Sequence, residues 1–168
     1  MVSGDRAGRV DAFVDLHYTR FFPYPVQTAY AWCTDYQDDD PARAGHVIIQ
    51  RRPVLERTQD KVVMEGEVEM LGQAGRGKVE VRLFPPDRWE AHVIDGRGRG
   101  TVYYYSLEPA PGGSRLRIRF RFKVRRLKGW IRLTLAKPLI RRRVATMWDH
   151  FAASMAREIP SNPPGPNP

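Results

Sequence analysis

From Arg115 to Arg125 the chain alternates without a fault. Leu116, Ile118, Phe120, Phe122 and Val124 fall on one parity, and Arg115, Arg117, Arg119, Arg121, Lys123 and Arg125 on the other. Successive side chains of a strand point to opposite faces, so this pattern predicts an antiparallel strand with one dry and one wet face. Weaker versions recur upstream. Ala12 to Phe22 predicts a first strand, and Val47 to Leu55 a second. Lys61 to Leu71 predicts a third, with Val62, Met64, Val68 and Met70 on one side and Glu65, Glu67 and Glu69 on the other. Arg76 to Phe84 predicts a fourth whose Arg76, Lys78 and Arg82 face those glutamates as cross-strand pairs. Trp89 to Ile94, Thr101 to Glu108 and the ladder itself complete the set. Turn signals separate them: Arg57 to Asp60, Gly72 to Gly75, Pro85 to Arg88, Asp95 to Gly100 and Pro109 to Ser114.

Two stretches change period. Pro25 to Asp35 reads as a helix with proline near its first turn, broken by Asp38-Asp39-Asp40-Pro41. Near the end, Ile140, Val144, Met147, Phe151 and Met155 recur at helical spacing, with Trp148 flanking the stripe. Pro138 suits the start of that helix, and Leu127 to Lys137 is left as a loop or a short first helix. Tight turns between consecutive strands exclude a crossover α/β sheet. The expected fold class is α+β: a seven-stranded curved antiparallel sheet wrapped on one long C-terminal helix, with short helices after the first strand.

Length and composition refine this picture. The chain has 168 residues, enough for one domain with a sizeable core, expected over residues 10–159. Residues 1–9 are expected to be a loose leader, and the proline-rich residues 160–168 a disordered tail. Met1 to Val10 lacks the apolar core of a secretory signal, and Cys33 is alone. Both point to a reducing, cytoplasmic setting. The net charge of +9 invites an anionic partner. It is concentrated: Arg115 to Arg143 holds 13 of the 28 lysines and arginines and no acid.

The order strand, short helices, six strands, long helix leads to a family resemblance. Phe22-Pro-Tyr-Pro-Val-Gln-Thr-Ala-Tyr-Ala-Trp-Cys-Thr-Asp35 resembles the START/polyketide-cyclase/lipid-transport (SRPBCC, helix-grip) superfamily. Its members end the first strand, pass a proline and begin a helix with an apolar-aromatic pair followed by an aspartate; Pro25, Ala29-Tyr30 and Asp35 stand in those places. The likeness spans residues 12 to 158, although Asp38-Asp39-Asp40-Pro41 replaces the tryptophan or proline that often follows. The resemblance implies a hydrophobic cavity under the long helix. One fold hosts many functions, so it does not decide between carriage and catalysis.

The expected cavity lining is Tyr18, Met64, Met70, Trp89, Tyr104 and Phe120 from the sheet, and Val144, Met147, Trp148 and Phe151 from the helix. Plain core packing is the competing explanation for each. Tyrosine hydroxyls could orient a polar ligand head, and methionines suit an adaptable wall. His17, His46, His92 and His150 show no metal spacing, and the glycines at 96, 98 and 100 precede no helix, so no cofactor is expected. No general acid or base can be named. The expected function is therefore binding or transfer of a lipid-, isoprenoid- or polyketide-like molecule, with an aromatic polyketide cyclase or dehydratase as the alternative. Lys128, Trp130, Arg132, Arg141, Arg142 and Arg143 are expected to touch an anionic membrane surface peripherally, against the alternative of a solvated connector. Nucleic acid is disfavoured because Phe120 and Phe122 alternate inward. No feature specifies an oligomeric state.

Overall fold

The computed structural model describes residues 12–70, 73–96, 98–124 and 127–159. The leader and tail expected at the two ends lie outside these residues. The chain forms β1 (Ala12–Phe22), α1 (Val26–Cys33), α2 (Asp40–Arg43), β2 (Ile49–Arg51), β3 (Val54–Arg57), β4 (Lys61–Met70), β5 (Gln73–Phe84), β6 (Arg88–Val93), β7 (Val102–Ala110), β8 (Gly113–Val124) and α3 (Leu127–Glu158). The sheet is antiparallel in the order β1-β8-β7-β6-β5-β4-β2, with β3 on the same edge of β4 as β2. The second strand expected at Val47–Leu55 is thus broken in two, which leaves seven strand positions.

The ladder reading holds in three dimensions. Leu116, Ile118 and Phe120 are buried, Phe122 and Val124 are half-buried at the strand end, and Arg115, Arg117 and Arg119 are exposed. Opposite charges line the outer face. Arg119 donates to Asp15 on β1 at 2.8 Å, and Arg117 pairs with Glu108 on β7 at 2.8 Å. Arg76 pairs with Glu65 and Glu67 across β4 and β5. Most of the like-charge repulsion expected along β8 is therefore offset by neighbouring strands.

The helix differs from expectation at its start. α3 begins at Leu127 and carries Pro138 inside. Proline has no N–H to give the Thr134 carbonyl, which normally disfavours such a position. Here Leu133 and Ala136 before it, and Ile140 and Val144 after it, all pack on the core. Burial of a continuous stripe outweighs one lost hydrogen bond. α3 lies over β1 and β8, α1 packs across β7 and β8, and α2 touches both β2 and α3. The hairpin turns are tighter than expected: Pro109 and Ala110 pair with Ser114 and Gly113, so β7 and β8 run almost to the turn. Gly113 has no room for a side chain, since a Cβ there would meet the Phe22 carbonyl oxygen at 2.1 Å.

Two stability outcomes follow from this packing. Leu116 is fully enclosed. Leu116→Ala should lose about 2–5 kcal/mol in urea denaturation, whereas Phe120→Ala should lose less than the roughly 3–5 kcal/mol typical of a tight site, because one side of its ring faces open space. The Arg119 hydrogen bond holds the Asp15 carboxyl below its ordinary value of 3.8. Its stabilisation is present above about pH 4 and is lost as pH falls through the depressed folded-state value. The pair is half-exposed, so Asp15→Asn should cost under about 1 kcal/mol near pH 7, and the gap to the parent should narrow as pH falls below the ordinary carboxylate value.

Candidate functional site

Strand parity decides which tyrosines of β7 face inward. Tyr103 pairs with Phe120 and Tyr105 with Ile118, both on the dry face, while Tyr104 pairs with Arg119. Tyr104 therefore lies on the outer face, with the Arg119 guanidinium 6.0 Å from its ring centre. The expectation that Tyr104 lines the cavity is corrected: Tyr103 and Tyr105 do so. Trp89 on β6 stacks on Tyr105, 4.9 Å apart and nearly parallel, and Tyr103 meets Phe120 edge-on at 5.2 Å. From α3, Trp148 tilts against Tyr105 at 6.3 Å and against Phe151 at 5.2 Å.

Two adjoining lobes lie between these walls. The larger, about 130 Å³, is lined by Ile48, Met64, Val79, Val81, Ala91, Tyr103, Phe120 and Val144 among others. The smaller, about 60 Å³, is lined by Trp32, Cys33, Asp40, Trp89, Trp148 and Phe151. Tyr36, Ile49, Arg52, Tyr105 and Met147 border both. Seven expected residues thus come together here: Met64, Trp89, Phe120, Val144, Met147, Trp148 and Phe151. Tyr18 borders neither lobe. The side chain of Met70 lies outside the described residues. Both lobes are smaller than the roughly 300–1,000 Å³ of a drug-sized site, so a larger ligand requires Met64 and Met147 to move. A bigger groove of about 460 Å³ lies on the outer sheet face, beside His17, Phe84, Arg88, Tyr104, Arg117 and Arg119. It is open to water, and Arg117 and Arg119 are already paired with carboxylates.

The junction of the two lobes holds polar residues that sequence reading missed. Arg52 forms an ion pair with Asp40, and its guanidinium sits 5.2 Å from the centre of the Tyr36 ring. Asp40 is buried, unlike Asp38 and Asp39, because it starts α2. Arg52 occupies the break between β2 and β3, just after a one-residue slip in the pairing of β2 with β4 between Ile49 and Arg51. That slip lets Ile49 and Arg52 both face inward despite opposite parity. Tyr36 adopts a left-handed backbone (φ 45°), uncommon outside glycine, and the Arg57 Nη2 donates to its carbonyl at 2.8 Å. A basic residue at a strand break beside an acidic cluster is the one signal that could have flagged this group.

Burial governs the electrostatics. It lowers the pKa of Arg52, against the opposing influence of Tyr36 and Tyr105. It raises the hydroxyls of Tyr36 and Tyr105 and the thiol of Cys33, and pushes Tyr103 up to about 12. The tyrosines remain protonated donors at neutral pH. Among the described residues, the Arg52 Nε and Trp148 Nε1 are buried donors without a protein partner. The junction is thus rich in donors and holds one carboxylate, already paired. Such a site recognises an oxygen acceptor on an otherwise apolar molecule, such as a carbonyl, phenolate or carboxylate.

The expected surface residues separate into two groups. Lys128, Trp130, Arg132, Arg141 and Arg142 are exposed on α3. Arg143 is half-buried with its Nη1 out of contact with water, so it does not belong to that surface. Among the described residues no helix is long and apolar enough to cross a membrane, and no group of potential ligands could hold a metal ion.

Known structures share this architecture. The Zhui aromatase/cyclase of Streptomyces sp. R1128 superposes with a TM-score of 0.71 at 9% identity, covering 89% of this chain and 98% of its own. A START superfamily protein of Mycobacterium smegmatis gives 0.65 at 14% identity, covering 88% and 99%. The di-domain aromatase/cyclase StfQ of the steffimycin pathway gives 0.69 at 18% identity, with 89% of this chain on 52% of that one. At such identities the likeness shows the helix-grip fold alone. No curated protein matches the chain. The family model for polyketide cyclase/dehydrase and lipid transport matches residues 14–156, and the chain belongs to that family.

Proposed function

We propose that the domain binds a hydrophobic, oxygen-bearing small molecule of lipid-, isoprenoid- or polyketide-like character in the cavity between sheet and α3. The observation that carries this reading is the buried Arg52–Asp40 pair at the junction of two apolar lobes. The apolar body of the ligand occupies the larger lobe against Val81, Phe120 and Val144. Its oxygen meets the donors of Arg52 and the neighbouring tyrosines. Met147 borders both lobes from α3, so this helix controls admission.

A second reading, an aromatic polyketide cyclase or dehydratase, is supported by the same donor group. Donors fixed in a water-poor pocket stabilise negative charge on an enolate or phenolate oxygen as it develops, without reorganising. The Zhui neighbour is an aromatase/cyclase. No histidine or glutamate borders either lobe among the described residues, so the proton acceptor such a reaction needs has no evident side chain beyond the paired Asp40. That favours binding over turnover.

Native mass spectrometry of gently purified protein, with extraction of any retained molecule, tests the first reading. An intact oxygenated apolar molecule is expected, and a chemically altered product would favour the second. Exchanging both charges together, as Arg52→Met with Asp40→Asn, should weaken binding of a fluorescent fatty-acid probe by about tenfold or more, since a charge-assisted hydrogen bond is worth roughly 1.5–3 kcal/mol. A hydrocarbon probe should bind that variant nearly as well as the parent. Met147→Trp should block uptake of both probes. If the folded Met147→Trp protein binds them normally, the ligand sits elsewhere.

A further inference from the structure

Among the described residues, nothing packs on the face of α3 turned away from the sheet. Ile131, Leu135 and Leu139 stand four residues apart, so they form one row along the helix. They are 45%, 77% and 52% exposed. Leu133, Ala136 and Ile140 take the opposite side and pack on the core. Helical spacing sets Lys128 and Arg142 at the two ends of the row and Arg132 and Arg141 on its flanks. Trp130, 41% exposed, stands to one side.

These cations differ from those of β8. The chain has no carboxylate between Glu108 and Asp149. Among the described residues, Lys128, Arg132, Arg141 and Arg142 form no ion pair, whereas Arg115, Arg117 and Arg119 on β8 all do. The structure thus combines an apolar row on show to water with positive charge that no described carboxylate pairs with. Each is unfavourable alone, and one partner relieves both.

We propose that this half of α3 docks on an anionic lipid surface, lying in its plane. Ile131, Leu135 and Leu139 enter the boundary between headgroups and acyl chains, and the flanking cations meet the headgroup charges. From Lys128 to Arg142 the helix spans about 21 Å, enough for a line of contacts but not for a crossing. Trp130 sits at headgroup level, where an indole is favoured. A second copy of the chain is a poorer occupant, because pairing this face with itself sets like charges against each other. Single-stranded nucleic acid is poorer still, because the row itself is aliphatic and Trp130 alone beside it offers a ring, not the series of stacking surfaces that successive bases need. The proposal is independent of the cavity, which lies on the other side of the helix.

Vesicle co-sedimentation of the full chain tests it. Phosphatidylcholine vesicles are compared with vesicles in which a third of the lipid is phosphatidylglycerol, at about 0.1 M and 0.5 M salt. Binding should require the anionic lipid and weaken at the higher salt, where the Debye length is shorter. Replacing Arg141 and Arg142 with Gln should cost about fivefold per residue, corresponding to roughly 1 kcal/mol each. Leu135→Ser with Leu139→Ser should weaken binding at least tenfold at low salt. Both leucines are exposed, so thermal melting and uptake of the cavity probe should stay at parent level. Equal binding to neutral vesicles, or undiminished binding of the double-leucine variant, would overturn the proposal. So would a parent that fails to sediment with anionic lipid at low salt. Self-association of the parent in sedimentation velocity, abolished by the leucine changes, would assign the face to a second copy instead.

Discussion

A seven-position sheet exposes more apolar surface on its concave side than one helix can cover. Six inter-strand gaps of about 4.8 Å make the sheet roughly 29 Å wide, while a helix with its side chains is about 10–12 Å across. The remaining inner face must curl, be filled by other elements or enclose space. This chain does all three. α3 covers β1 and β8, α1 and its aromatic residues fill one end, and the inner faces of β4 to β7 border the two lobes. The cavity is thus a consequence of covering a wide sheet with a narrow helix. Its lining is shared with the core, which is why Phe120 and Val144 belong to both.

Placing Arg52 and Asp40 at the junction of those lobes changes what the space can hold. An all-apolar cavity binds by shape and area alone. A buried ion pair is a weak source of stability, since desolvation offsets much of the attraction, so its value lies more in orientation than in folding energy. The pair is held from several sides. α2 supplies Asp40, the strand break supplies Arg52, and the left-handed turn at Tyr36 lays a ring beside the guanidinium. Arg43 ties the same region to the end of α3 through Asp35 and Glu158. The donor group and the covering helix are therefore mechanically joined.

Charge is distributed by the same logic of neighbours. The thirteen bases from Arg115 to Arg143 look alike in a linear count. In the fold, those on β8 lie beside strands that carry Asp15 and Glu108, and they are largely neutralised. Lys128, Arg132, Arg141 and Arg142 on the first half of α3 face outward and form no ion pair among the described residues. A basic run thus splits into a paired outer coat and an uncompensated helix face.

The sequence by itself determined what depends on local period. The alternation of Leu116 to Val124 and the helical recurrence of Ile140, Val144, Met147, Phe151 and Met155 identified the buried faces, because side-chain direction follows backbone period wherever that period is unbroken. It also supplied seven residues of the apolar cavity wall. Tertiary structure alone decided the rest, and each miss has a physical reason. Tyr104 could be told from Tyr103 and Tyr105 only by the register of β7 against β8, since a one-residue shift turns every side chain over. Arg52 faces inward because pairing slips by one residue within β2, between Ile49 and Arg51, which no alternation rule anticipates. Asp40 is chosen from three adjacent aspartates by where α2 begins. Pro138 sits inside α3 because burial on both sides of it exceeds the cost of one missing hydrogen bond. Period is a local property of the chain, whereas register, strand breaks and burial are set by neighbours distant in sequence.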